Sequence, residues 1–443
     1  MVGRRNLAVW VLWLAPLAAT QAQTYRLIEK PQAGDYNRYR LDMNLVGEIR
    51  VARDGEIVPL QLTATANHEF PERILAVDDR GLPCKVARHY DKARAVITVN
   101  GIRNERSVRS KRRLMVAQQA QDLTLLYCPL GPLTRDELMT CEHLDTLPLT
   151  GLLPGKEVVA GATWKVPNTV VQALCRFEGL TLQDLTCKLE KVHGDSAEIS
   201  VRGPAQGIEL GALVKMEINA TLRFDLKQSR IVALEWKQKD ERDQGPASPT
   251  LTVEATVQLT RAPIEPVAAL SDVALVSVPD GMELPPHFAA LLHQDSEKRY
   301  DVVYSRDWHI VAATHEYLVM RLLERGDFIA QVTVTPWSKA KAGTHLSEEE
   351  FHQAVSMTPG WEEEQVLQSG EVPMEGKWCC RISSIGTLDE LNVVQNFYLI
   401  ASPTGEQVVV TFTMKQAQVD KLGTRDLSFV GSLEIPSKAK DVD

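Results

Sequence analysis

Residues 215–226, Lys-Met-Glu-Ile-Asn-Ala-Thr-Leu-Arg-Phe-Asp-Leu, alternate polar and apolar without a break. Met216, Ile218, Ala220, Leu222, Phe224 and Leu226 fall on one side of an extended chain, opposite Lys215, Glu217, Asn219, Thr221, Arg223 and Asp225. That is the period of a strand and not the 3.6-residue period of a helix. A strand this long with one apolar and one polar face belongs to a broad antiparallel sheet, packed on one side and wetted on the other. Residues 231–236 and 251–259 continue the pattern. Upstream, Tyr39, Leu41, Met43 and Leu45 share one face, residues 60–66 alternate in the same way, and residues 95–99 and 113–116 are further strands. The expectation is a curved, half-barrel-like β-rich domain over residues 23–261. Its parts before and after the Pro129–Pro132 break have similar strand content, as two duplicated halves would, although no residue-level repeat links them. Thr134-Arg135-Asp136-Glu137 is a capping-box signature opening a short helix to about residue 143.

Pro263, Pro266, Pro279, Pro285 and Pro286 mark residues 262–286 as a linker, with the apolar stretch 273–278 expected at a sheet edge. The pattern then turns to α plus β over residues 287–437. A short helix is expected at 288–293 and strands at 300–304, 316–323 and 328–335. A helix capped by Ser347 runs to 356, followed by strands at 378–384, 393–401 and 407–413 and a closing helix over 417–433. The predicted fold class is α+β, with a curved antiparallel region followed by an antiparallel sheet flanked by helices.

Tyr300-Asp301-Val302-Val303-Tyr304 leading to Asp307-Trp308, the strand Phe328-Ile329-Ala330-Gln331-Val332, and the hairpin from Tyr398-Leu399-Ile400 to Val408–Thr413 make this C-terminal third resemble the PsbP-like fold. That fold is shared by extrinsic photosystem proteins, a Ran-binding import factor and many exported bacterial proteins. The resemblance implies an α/β sandwich used for binding or assembly rather than catalysis. The N-terminal part resembles uncharacterised exported bacterial β-rich proteins.

Export is expected from the leader as well. Arg4 and Arg5 precede the apolar run of residues 7–19, and Ala22 ends a small-residue cleavage pattern, so residues 1–22 are a signal peptide and the mature chain is periplasmic or extracellular. No later run is long and apolar enough to span a bilayer. Removing two arginines takes the formal charge from −9 to −11, which disfavours nucleic acid as a partner. Residues 438–443 form a tail.

Seven cysteines follow the leader. In an oxidising compartment Cys175 with Cys187 and Cys128 with Cys141 are the leading disulfide candidates, against the alternative that they are small buried hydrophobes. The strongest local charge feature is the run Arg103, Arg106, Arg109, Lys111, Arg112 and Arg113, which either docks an anionic partner or is a solvated loop. Gly151-Leu152-Leu153-Pro154-Gly155-Lys156 lacks the spacing and free N–H groups of a phosphate loop. His309 with His315, and His345 with His352, lack the spacing of a zinc site. No catalytic, metal or cofactor motif emerges, and the chain is expected not to be an enzyme. Two functions remain: an exported binding or assembly protein of the cell envelope whose partner is a protein or envelope component, or a carrier of a lipid or other apolar ligand in the concave face of the β-rich domain.

Overall fold

The computed structural model describes residues 23–53, 55–120, 123–142 and 144–436; the expected leader and tail lie outside them. The first strands are β1 (Thr24–Arg26), β2 (Tyr36–Arg53), β3 (Glu56–Val77), β4 (Pro83–His89), β5 (Lys92–Val99), β6 (Ile102–Ser107), β7 (Leu114–Ala120) and β8 (Leu123–Tyr127). A short β9 (Leu133–Thr134) leads into α1 (Arg135–Cys141). After β10 (Glu157–Val159) and β11 (Thr163–Lys165) comes α2 (Asn168–Cys175). The chain continues through β12 (Gly179–Gln183), β13 (Thr186–His193), β14 (Ser196–Glu209), β15 (Ala212–Asp225), β16 (Arg230–Arg242) and β17 (Thr250–Pro263).

All of these strands except β1, β9 and β10 belong to one 14-stranded antiparallel sheet. The meander β13 to β17 meets the N-terminal strands where β17 pairs with β2, from Thr250 opposite Arg50 to Pro263 opposite Asn37. The two β-rich sections are therefore one continuous, open sheet. β3 is long enough to divide its partners: its first half pairs with β5, and its second half pairs with β4. The alternation in β15 is realised residue by residue, with Met216, Ile218, Ala220, Leu222 and Phe224 buried and Lys215, Glu217, Asn219, Thr221 and Arg223 exposed.

The C-terminal elements are α3 (Pro286–Ala289), β18 (Leu291–Gln294), β19 (Asp301–Tyr304), β20 (Trp308–Ala313), β21 (Leu318–Glu324), β22 (Asp327–Trp337), α4 (Glu348–Ser356), β23 (Trp361–Glu371), β24 (Trp378–Leu388), β25 (Leu391–Ala401), β26 (Gln407–Met414), α5 (Val419–Leu422), α6 (Arg425–Ser432) and β27 (Leu433–Glu434). Seven strands form a second antiparallel sheet in the order β20-β21-β22-β26-β25-β24-β23. Phe351 and Val355 of α4 pack on one face with Ile382, Phe397 and Leu399. Phe429 and Val430 of α6 join Val410, Phe412 and Tyr398 on the other. The capping boxes read at Thr134 and Ser347 are both formed, with Glu137 and Glu350 answering their caps.

Several expectations are corrected. The helix expected at 288–293 ends at Ala289, and Leu291–Gln294 is a strand, parallel to β9 and antiparallel to β19. The closing helix is broken at Gly423, whose φ of 57° lies in the left-handed region where glycine is least strained. β23 was hidden by its acids: Glu362, Glu363 and Glu364 follow Trp361 on an edge strand, where much of the chain faces water. Residues 273–278 do not pair at a sheet edge. Ser271 to Val278 winds through turns, with Leu275 N–H donating to Ser271 O and Val278 N–H to Leu275 O. The surrounding segment is a strap, with Leu270 buried against Ala87 and Leu114 and the Lys85 ammonium donating to the Gly281 carbonyl.

No cysteine among the described residues is within disulfide distance of another; all seven are free and buried. Cys175 lies on α2 close to Asp240, whereas Cys187 on β13 donates to the Leu152 carbonyl. Cys141 on α1 packs beside Tyr90, away from Cys128. Burial raises the thiol pKa of each, to about 12 for Cys187, so they behave as protonated apolar fillers.

Candidate functional site

The inner face of the large sheet carries the chain's unusual chemistry. Odd residues of β2 and even residues of β3 point to it, in the register Tyr39 opposite Phe70 and Leu41 opposite His68. The Tyr39 and Phe70 rings stack at 5.4 Å. Over this part of the sheet an insert between β8 and β12 supplies a plug. Leu138 of α1, Leu149 and Leu152 of a 3-10 segment, and Val171 and Leu174 of α2 are all buried in the same core as Leu222, Phe224 and Trp236.

Polar groups beneath the plug are bound to one another. Arg88 Nε donates to Glu72 at 2.9 Å, and its Nη2 reaches Asp145 at 3.1 Å and Thr146 Oγ1 at 2.6 Å. Thr146 in turn donates to Glu72 at 2.6 Å. Such a buried cluster is committed to structure, because removing any member would strand a charge without water. Burial lowers His68 to about 4, so its ring stays neutral near pH 7. On β16, Trp236 Nε1 donates to Gln238, and Gln238 Nε2 donates to Asp240, each at 2.6 Å. Burial pushes the Asp240 carboxyl up to about 7, and its Oδ1 has no protein partner.

Beyond the plug the same face changes character. Tyr39 and Leu41 are almost fully buried, yet Leu45 and Ile49 further along β2 are partly exposed, as are Leu60 and Leu62 on β3 and Ile97 and Val99 on β5. The registers Ile49 opposite Leu60, Leu62 opposite Val99 and Ala64 opposite Ile97 put these side chains on one surface. Gly47 lies within it, opposite Val253 of β17, and a Cβ there would collide with the Thr252 carbonyl oxygen. The result is a three-strand apolar shelf continuous with the filled core.

Half of the basic run is tied to the protein by its own contacts. The Arg109 guanidinium grips Glu137 through two hydrogen bonds of 2.6 Å, and Arg106 pairs with Asp136 at 3.1 Å. Arg112 Nε donates to the Pro132 carbonyl. Burial opposes the charge on Glu137, but the hydrogen bonds from Arg109 and Thr134 outweigh it and hold its pKa below the usual range. These arginines anchor the start of α1. Arg103, Lys111 and Arg113 are exposed. Among the described residues no group of three or more His, Cys, Asp or Glu side chains is arranged to hold a metal, and no helix is long and apolar enough to cross a membrane.

Sequence reasoning found the strands of the shelf but not the shelf itself, since alternation marks a face without showing what covers it. It also missed α2. The Asn168 to Cys175 pattern, with Val170, Val171 and Leu174 on one side, was the available signal.

No protein-family model matches the chain, and no curated protein does. Among solved structures the chain is similar over 33% of its length to cyanobacterial PsbP (CyanoP) of Synechocystis sp., at 13% identity and TM-score 0.26, with 93% of that chain covered. It is similar over 33% to the Ran-binding protein Mog1p of Saccharomyces cerevisiae, at 11% identity and TM-score 0.27, with 95% of that chain covered. Over 54% of its length it is similar to lipovitellin, a structure described for its lipid–protein interactions, at 8% identity and TM-score 0.32, spanning 26% of that chain. The first two are proteins of the kinds that the C-terminal third resembles in sequence. All three scores are low, and the functional reading rests on the chain's own geometry.

Proposed function

We propose that the protein is an exported, non-catalytic binding or assembly protein of the cell envelope that engages its partner through the apolar shelf of β2, β3 and β5. The observation that carries this reading is the partial exposure of Leu45, Ile49, Leu60, Leu62, Ile97 and Val99 on one continuous surface. Contiguous apolar area left partly in water favours association, at roughly 25 cal/mol per Å² removed from solvent. Export rests on the leader alone. The buried groups Glu72, Arg88 and Asp145 are held by one another.

A second reading is supported by the same surface: a lipid or other apolar ligand would lie along the shelf, because the deeper part of the inner face is filled by α1 and α2. Native mass spectrometry of protein purified from cells, followed by denaturation, separates the two. A partner protein retained by the wild type and lost from a Leu62→Asp, Ile97→Asp double variant supports the first reading. A co-purifying lipid lost from the same variant moves the assignment to the second. Retention of either by the variant contradicts the shelf as the site.

A further inference from the structure

A cleft of about 260 Å³ opens between the Arg26–Asp35 segment, the β15–β16 turn at Gln228–Arg230, and Arg261 near the end of β17. Four cations line it: Arg26, Lys30, Arg230 and Arg261. The two lining carboxylates are already engaged. Glu29 accepts from Arg261 Nη1 and from the Ile231 N–H, and Asp35 accepts from the Gln32 N–H at 2.9 Å. The cleft thus carries two excess positive charges on a chain whose formal net charge is −9.

Two of these arginines are fixed by the protein around them. The Arg261 side chain is only 5% exposed, seated against the Tyr39 ring, and its Nε has no partner. Arg230 donates through Nη1 to the buried Asn37 Oδ1 at 3.1 Å, and its Nε is likewise buried and unpartnered. Arg230 and Arg261 both line the cleft and put positive charge against an anion bound in it. Guanidinium groups match a phosphoryl group because it offers several acceptor oxygens to planar forks.

We propose that this cleft binds a phosphate monoester. The dianion matches the two excess charges, and the space leaves room for a small organic part beside the phosphoryl group. The site is separate from the apolar shelf, and its test does not depend on that surface. One chemistry has two sources here: a soluble phosphoester, or the monoester headgroup of a phospholipid such as phosphatidic acid.

The experiment is calorimetric titration with glycerol 3-phosphate, with succinate as a dicarboxylate control, alongside flotation with phosphatidylcholine vesicles with and without phosphatidic acid. Arg230→Gln, on a partly exposed residue, is the primary variant, and a thermal melt checks its fold. Lys227→Gln, in the same turn but outside the cleft, is the charge control. Glycerol 3-phosphate is expected to bind at least about tenfold tighter than succinate, and Arg230→Gln to weaken it by at least about tenfold while Lys227→Gln does not. Binding of glycerol 3-phosphate without flotation assigns a soluble source. Flotation that requires phosphatidic acid and is lost in Arg230→Gln assigns the headgroup. The proposal is overturned if neither probe binds, if succinate binds as tightly, or if Arg230→Gln, still folded, binds unchanged.

Discussion

The seven-stranded sheet and the large sheet use similar strands and end in opposite states. In the first, α4 covers one face through Phe351 and Val355, and α6 covers the other through Phe429 and Val430, leaving Phe397, Val410 and Phe412 buried. In the second, the plug covers only part of the inner face, and the strands run past it into water. The residues are no less apolar there: Leu60, Leu62 and Ile97 differ from Leu41 and Ile74 in what lies above them. Where a sheet meets its partner is therefore decided by the segments between strands. The C-terminal third, expected as a binding or assembly sandwich, carries its own helices on both faces of its sheet.

This contrast can be broken most directly in the clothed sheet. Phe412→Ala, which removes a ring touching Trp308, Tyr398 and Phe429, should cost about 3–5 kcal/mol in urea denaturation. A loss below 1 kcal/mol, roughly the value of a surface site, would show that the core is looser than described.

Asp240 sharpens the picture under the plug. Its folded pKa of about 7 exceeds the unfolded value of about 4. Between those values the folded state keeps a proton that the unfolded state has released, so this group's contribution to stability falls as pH rises through that window. Asp240→Asn imitates the protonated form. It should be near neutral at pH 4 and stabilising by up to about 4 kcal/mol at pH 8, relative to wild type. Glu209 adds to the upward shift and Arg242 opposes it. His68 titrates in the opposite sense below about pH 6.5, which is why the difference between variant and wild type is the quantity to measure. Equal stabilisation at both pH values would mean that folding does not raise the Asp240 pKa.

On the shelf, Leu62→Ala should cost less than about 1 kcal/mol, because the side chain is already partly in water. A cost near that of Phe412→Ala would mean the shelf is core. The smallest effect is expected from reductant: with every cysteine free, the thermal midpoint should be unchanged by dithiothreitol. A clear fall would reveal a disulfide.

Much of the strand pattern was legible because alternation follows directly from which face is packed, as at β15. The caps of α1 and α4 were legible because Thr134 with Glu137, and Ser347 with Glu350, satisfy helix-end N–H groups by local chemistry alone. What stayed hidden was set by distant contacts. Nothing near Arg109 shows that its charge is taken by Glu137, 28 residues away. Arg261 and Glu29 meet across 232 positions, and Leu270 is buried only because Ala87 and Leu114 lie beneath it. Disulfide candidates chosen by proximity in sequence failed for the same reason: α2 and β13 carry Cys175 and Cys187 to different parts of the core.

The central claim is that the inner face of β2, β3 and β5 is where the protein meets its partner. Site-specific photocrosslinking in living cells tests it most directly, with the crosslinker placed at Leu62 or at the neighbouring Thr63 on the opposite face. Specific adducts from position 62 and none from 63 are the predicted result. Equal labelling from both positions, or adducts from 63 alone, would contradict it.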